Sequence, residues 1–413
     1  MVNLRRSLEF RYYSREKNCL GNYSFVAKST IVQPFNYNAP EQIHLAYGDR
    51  IDQIFVSYVT NSSQYIHKCH YGLNPLSLRW RAQGTTTTYK ASDMCEGKAN
   101  IPDPQTFIDP GYMHMIMLEN IRPSTTYFYR AGNDQHGWPS ILSFTNRPTD
   151  DANAKVNIIV YGDRGAAPIH LGAKSAMDRI RAHLMVDNIT CVLHMGDIRY
   201  ARGIGALWDA FMTQIGPVAS RVPYMVAIGN HEYDHVTGGD KDPSRAPGPG
   251  GFRPSRGNYG YDSDGECAVP MVHRFRSPSN DNGLFWYSFD VGPVHVLCYS
   301  MEHDFLPLSL QYAWIERELS SVDRSHTPWI IVESHRHMYS SIVRDVGDPL
   351  RAMLQKSLQP IFYTYHVDIN LFRHIHSYER SCRMYQEKCV DNDIVHVLVG
   401  MGGHKLDFDT YTE

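Results

Sequence analysis

The sequence predicts an α+β protein of two domains, an antiparallel β-sandwich followed by an α/β domain, and three observations carry that prediction. Between Gln42 and Asn146 the apolar residues fall in short β-rich segments (IHLAYG, IFVSYVT, YMHMIMLEN, TTYFYRAG, ILSFTN), punctuated by Pro, Gly, Asn and Asp and without helical period. From Val156 onward apolar strands alternate with stretches of helical spacing. The polar stretch Arg147-Pro148-Thr149-Asp150-Asp151 separates the two regimes as a linker. A length of 413 residues suits two to three domains at about 150 residues each.

In chain order, residues 1–38 are polar and aromatic without clear period and read as an N-terminal extension, and residues 39–147 form the sandwich. Residues 148–413 form the α/β domain. There, strands are expected at 156–161, 191–195, 224–228, 294–299, 329–332, 367–372 and 394–399. Helices are expected over 171–184 (Ala173, Met177, Ile180, Leu184), around Leu308, Tyr312, Ile315 and Leu319, and through Leu350, Leu354, Leu358 and Ile361. Taken alone, this alternation implies one sheet with helices on both faces. The Gly/Pro-rich stretch 235–265 reads as a surface insertion near the strand ends.

Composition narrows the function. Hydrophobic residues at 42% and charged residues at 20% exclude a disordered, collagen-like or coiled-coil chain. Forty basic against 43 acidic side chains exclude bulk attraction to nucleic acid or anionic membrane, so any phosphate recognition is local. Apolar runs of about six residues fall far short of the roughly 18 that cross a bilayer. Eight cysteines without CxxC spacing argue against structural zinc, and Cys382 and Cys389 are placed either to bridge across a turn or to stay free. Glycosylation sequons at Asn22, Asn61 and Asn188 suggest a secreted glycoprotein, yet the first residues contain no apolar signal stretch.

Histidine, with 21 copies, is the outlier, and it is a general acid, base and metal ligand. The turn after each expected strand is informative: Gly162-Asp163, Gly196-Asp197 with Tyr200, Gly229-Asn230-His231, Glu333-Ser334-His335 and Arg373-His374-Ile375-His376. Ligands bind at the carboxyl ends of strands in α/β sheets, so these donors converge although they span more than 200 residues. A Gly-Asp after a strand is usually a turn, and a single buried histidine usually belongs to the core. Five donor-bearing turns at successive strand ends defeat that reading. Asp163, Asp197, Tyr200, Asn230, His335, His374 and His376 exceed what one ion needs, and hard oxygens mixed with imidazoles suit iron, manganese or zinc. They imply a dinuclear site with ions about 3.5–4 Å apart.

The ordered motifs GDxG, GDxxY, GNHE, VxxH and HxH resemble the metallophosphoesterase signature, and Tyr200 makes the chain similar to the purple acid phosphatases. Further stretches carry the resemblance: PEQIHLAYG, FIDPG, RPSTTYFYRAG, TPWIIVESHRHMYSS, HSYER and HVLVGMGGH. It implies a fibronectin-type-III-like β-sandwich and a metallophosphoesterase domain of two packed β-sheets flanked by helices. It also implies Fe(III) on Asp163, Tyr200 and His376, a divalent zinc, iron or manganese on Asn230, His335 and His374, and Asp197 bridging. The implied function is an acid phosphatase that cleaves phosphate monoesters by attack of a metal-bound hydroxide. Asn230 and His231 would bind substrate, and His231 would be the catalytic general acid.

The alternatives are a phosphodiesterase or nucleotide pyrophosphatase of the same fold and a catalytically impaired binding protein. The expected partner is a small phosphoester, with no nucleic acid and no membrane; a homodimer is allowed. The resemblance and the sequons imply a secreted, vacuolar or lysosomal location. Arg373 stands where the family has glycine, and a bulky cation there would alter the turn and repel metal. Arg336 is a candidate phosphate contact or an exposed structural residue. The chain ends soon after GMGGH, where family members continue, which implies a truncated catalytic domain.

Overall fold

The computed structural model describes residues 5–15, 21–95, 97–102, 106–233, 241–245, 262–279, 282–343, 347–391 and 393–407. Most of the expected insertion 235–265, and Cys19, lie outside these residues.

Two four-stranded antiparallel sheets make the N-terminal sandwich. One runs Glu41–Tyr47, Ile54–Thr60, Tyr112–Leu118, Thr85–Thr87; the other runs Leu142–Thr145, Thr126–Gly132, Lys68–Gly72, Trp80–Gln83. Alternate residues of each strand point inward. Leu45, Tyr58 and Ile116 from one sheet therefore share a core with Cys69, Tyr127, Tyr129 and Phe144 from the other. The extension is more than a tail: Arg11–Arg15 pairs antiparallel with Tyr23–Lys28, and both strands are largely exposed. Arg5 bonds Glu41 and Asp209, joining the extension and sandwich to the second domain.

The second domain contains two sheets rather than one. Ile158–Tyr161, Cys191–Met195 and Tyr224–Ala227 are parallel neighbours in that order. The second sheet is mixed, with seven strands: Tyr287–Val291, Val294–Cys298, Trp329–Arg336, Ile369–Arg373, Val395–Val399, Tyr378–Tyr385 and Lys388–Cys389. Cys191, Leu193 and Met195 of the first face Val294, Val296, Cys298 and Leu371 of the second in one apolar cluster. The alternating residues Val192, Leu297, Val332 and Phe372 turn outward into the core that the helices cover. Each sheet is thus covered by helices on one face only. The reading from alternation alone missed this because a strand buried on both faces looks the same whether a helix or a second sheet covers it.

Helix Gly172–Val186 buries Ala173, Met177 and Ile180, as its period requires. Helix Leu310–Ser321 is capped by Ser309, whose side chain accepts from the Tyr312 amide, and it buries Gln311, Trp314, Ile315 and Leu319. Leu308, expected on that stripe, lies before the cap and is fully exposed. The third expected helix is two, Pro349–Ser357 and Gln359–Thr364, because Pro360 has no amide to continue the first ladder. No helix among the described residues is long and apolar enough to cross a membrane.

Disulfides join Cys382 to Cys389 and, unforeseen from the sequence, Cys95 of the sandwich region to Cys267 of the second domain. Cys69, Cys191 and Cys298 are free and buried.

Candidate metal centre

Parallel pairing brings the carboxyl ends of Ile158–Tyr161, Cys191–Met195 and Tyr224–Ala227 to one edge, so Asp163, Asp197 and Asn230 leave the first sheet side by side. Trp329–Arg336 pairs in parallel with Ile369–Arg373 and delivers His335, His374 and His376 from the second sheet. The turns are tight. Asp163, Asp197, Tyr200 and His374 have φ of +54°, +48°, +56° and +77°, the left-handed region that non-glycine residues seldom adopt. Such backbone clusters at functional sites, where the surroundings hold it in place. Gly196 is left-handed too, and a Cβ there would lie 2.6 Å from His335 Nδ1; one on Gly229 would meet Asp197 Oδ1 at 2.4 Å. The two glycines leave room for the candidate donor side chains beside them.

All seven predicted donors come together, in two groups. Tyr200 Oη lies 3.0 Å from Asp163 Oδ1 and 3.1 Å from His376 Nε2, and those two atoms are 3.3 Å apart. Around His335 Nε2 stand Asn230 Oδ1 at 3.0 Å, Asp197 Oδ2 at 3.2 Å and His374 Nδ1 at 3.3 Å. Neighbouring partners aim these atoms. Asn230 Nδ2 donates to Asp262 Oδ2, which leaves its Oδ1 facing His335. Asp197 Oδ1 accepts from the His231 amide, and His335 Nδ1 faces the Met195 carbonyl at 3.4 Å, so in the neutral ring that a metal would need, Nε2 is the free nitrogen.

The cradle fits metal ions. Bonds of about 2.0–2.2 Å to N and O donors place adjacent ligands roughly 3.0–3.4 Å apart, the spacing found in both groups. Asp163 Oδ2 and His376 Nδ1 are buried without a hydrogen-bond partner among the described residues. Asp197, His335 and His374 form the cluster of acid and imidazole groups close enough to hold one ion.

The buried donors strongly perturb one another's charge. Burial works against the charge on Asp197, yet His335, His231 and His374 hold its carboxyl well below the usual range. Burial likewise opposes protonation of His335, but Asp197 beside it raises its pKa to about 9. Burial, with Asp163 and Asp197, pushes the Tyr200 phenol well above its ordinary value. Its deprotonation therefore needs a strong local cation. Glu232 is also pushed well up, by burial and by Asp197.

His231 stands at the edge of this group. Its Nδ1 faces the Asp262 carbonyl at 3.0 Å, its Nε2 lies 3.9 Å from Asp197 Oδ2, and its ring centroid is 4.3 Å from that of Tyr200. Arg336 is buried and paired with Glu302 through Nε at 2.7 Å and Nη2 at 3.1 Å, which overturns the expectation of an exposed role. Arg373 is buried as well. Its Nη1 donates to the Val399 carbonyl, and its stem fills the space where a Cβ on residue 162 would fall 2.1 Å away. The donors converge with Arg373 in place, so the expected disruption of the turn does not occur.

Three contributors escaped the sequence reading. Glu232 ties the loops together by accepting from the Ile198, Arg199 and Gly229 amides. Asp262 positions Asn230 and His231 from the end of the insertion. His404 stacks on Tyr200. Glu232 belongs to the GNHE motif and His404 ends the stretch HVLVGMGGH, but neither stretch says what its side chain touches; Asp262 carries no local signal.

Comparison with known proteins gives concordant matches. Residues 40–146 match the family described as purple acid phosphatase, N-terminal domain, and residues 156–378 match calcineurin-like phosphoesterase. The chain is 33% identical to a probable inactive purple acid phosphatase 9 of Arabidopsis thaliana over 89% of its own length, spanning 58% of that protein. It is 36% identical to a nucleotide pyrophosphatase/phosphodiesterase of Hordeum vulgare, with 64% of this chain and 71% of the relative covered. The solved structure of a purple acid phosphatase from yellow lupin (Lupinus luteus) seeds superposes with a TM-score of 0.83 at 31% identity, over 99% of this chain and 72% of that one.

Proposed function

The chain belongs to the purple acid phosphatases, and we propose that it hydrolyses phosphate monoesters at a dinuclear centre. Asp163, Tyr200 and His376 would hold a ferric ion, Asn230, His335 and His374 a divalent zinc, iron or manganese, and Asp197 would bridge them. The observation that carries this reading is the convergence of seven donors into two groups with contacts of 3.0–3.3 Å. When bound, the ions supply Lewis acidity towards a phosphoryl oxygen and a nucleophile at neutral pH.

The chain's own residues supply the rest. Asp197 contributes a permanent negative charge between the two groups. Asn230 and His231 orient the phosphate. His231, with Nδ1 committed to the Asp262 carbonyl, presents Nε2 to protonate the departing alcohol oxygen. A name such as probable inactive is said of the relative that carries it; in this chain the intact donor set favours turnover. The similarity to a nucleotide pyrophosphatase/phosphodiesterase supports a second reading, cleavage of diesters or diphosphates at the same centre.

The two disulfides and the exposed asparagines of all three sequons support an oxidising compartment, secreted or vacuolar. Purified protein assayed in parallel with a phosphate monoester, a bis-ester and a nucleoside diphosphate tests the assignment. The monoester should turn over fastest. A faster nucleoside diphosphate would replace the first reading with the second, and no turnover of any by metal-loaded protein would refute both.

A further inference from the structure

We infer that His404 is a positioning residue for the ferric side of the centre, the ring against which Tyr200 is stacked and held in its ligating orientation. The inference rests on the assignment of Asp163, Tyr200 and His376 to one ion, and it adds a residue outside the ligand set.

The backbone delivers His404 to this place. After Val395–Val399 the chain turns across the carboxyl end of Ile158–Tyr161. There the Gly402 amide donates to the Gly162 carbonyl at 2.8 Å, and the His404 amide donates to the Asp163 carbonyl at 2.9 Å. Further on, Asp407 Oδ2 accepts from the His376 amide at 3.0 Å. The approach needs glycine, since a Cβ on residue 402 would stand 2.0 Å from the Gly162 carbonyl oxygen.

The imidazole of His404 then lies face to face on the Tyr200 ring, centroids 3.8 Å apart and planes within 14°. It meets His376 edge-on at 5.2 Å and 77°, with His170 at 4.5 Å. One residue therefore touches every member of the triangle: the backbone of Asp163, the face of Tyr200 and the edge of His376. Its Nδ1 is buried with no hydrogen-bond partner among the described residues, so that nitrogen does not orient the ring and stacking does.

The consequence concerns the tyrosine rather than the substrate. A tyrosinate bound to a ferric ion absorbs visible light by moving charge from ring to metal. A polarisable ring at stacking distance stabilises the electron-poor phenol ring in the excited state and keeps water from that face. Removing it should raise the transition energy. Groups outside the ligand set commonly tune a centre in this way.

The test compares wild type, His404→Ala and His404→Phe, each loaded with iron and zinc, by visible absorption and bound-metal analysis. Wild type should show a tyrosinate band, His404→Ala should retain iron with the band displaced to shorter wavelength, and His404→Phe should restore the wild-type position. If His404→Ala loses its iron, the phenylalanine variant alone decides: a wild-type band supports the stack and a displaced one overturns it. An unmoved band in iron-replete His404→Ala overturns the inference and leaves the ligand assignment intact. Absence of any band in iron-loaded wild type overturns Tyr200 as a ligand, and the inference with it.

Discussion

At the scale of single residues, the roles proposed for Asp197 and His231 differ: the first would hold the centre and the second would use it. Asp197 touches His335 and, through its other oxygen, accepts from the His231 amide, and it is the carboxylate proposed to bridge the two groups. Asp197→Asn keeps the shape and removes the charge; turnover should fall by at least about 10²-fold, the scale of losing an electrostatic stabiliser. Bound metal measured beside the rate should fall too. An unchanged rate would show that the bridging carboxylate lies elsewhere. His231→Ala should cost about 10²–10⁴-fold with both ions retained, as expected for loss of a general acid, and equal loss of metal and rate would make it a structural residue instead. The candidate donors were legible in the sequence because all but His335, which lies inside Trp329–Arg336, follow a strand end, where chain order predicts spatial order. The part of His404 was not, because it is packing: the stretch HVLVGMGGH carries the resemblance, yet nothing in it shows that the fold lays the ring on Tyr200.

At the scale of elements, the sandwich carries an acid-sensitive core. His67 and His114 stack at 3.3 Å, with His67 facing Tyr58 and Asn133, and His114 lying between Thr60 and Thr86. His136 also faces Asn133, and no carboxylate contacts either ring among these bonds. Burial pushes the pKa of His67 down from 6.5 to about 4 and that of His114 to about 2. Between pH 6.5 and 4 the unfolded chain therefore binds protons that the folded one refuses. Stability is full above 6.5 and declines as the pH falls below it. Calorimetry should show Tm dropping between pH 7.5 and 4.5, and His67→Phe should flatten the drop; an unaltered slope would remove His67 from the account.

The Cys95–Cys267 bridge closes a loop with a sequence separation of 172. Replacing both cysteines by alanine should cost about 2–5 kcal/mol, seen as a lower denaturation midpoint. Short β-rich apolar runs bounded by turn residues, such as Ile54–Thr60, were readable in advance. Helix Gly205–Ala219 was not: Gly205, Gly216 and Pro217 read as breakers, and burial of Trp208, Phe211, Met212 and Ile215 leaves little polar contrast to reveal its period.

At the scale of the whole molecule, the two sheets packed face to face are what bring the candidate donors together. One sheet supplies Asp163, Asp197 and Asn230, the other His335, His374 and His376, with Tyr200 from the loop after the second strand. Alternation of strands and helices could not distinguish one sheet from two; only resemblance did. The pairing matters to chemistry, because neither sheet alone holds a complete donor group. The most direct test of this account is the metal content of the purified, folded protein after saturation with iron and zinc and removal of excess ions. Two ions per chain are predicted, one of them iron, with Asp197→Asn binding fewer. A folded wild-type chain that retains no metal under those conditions would contradict the account.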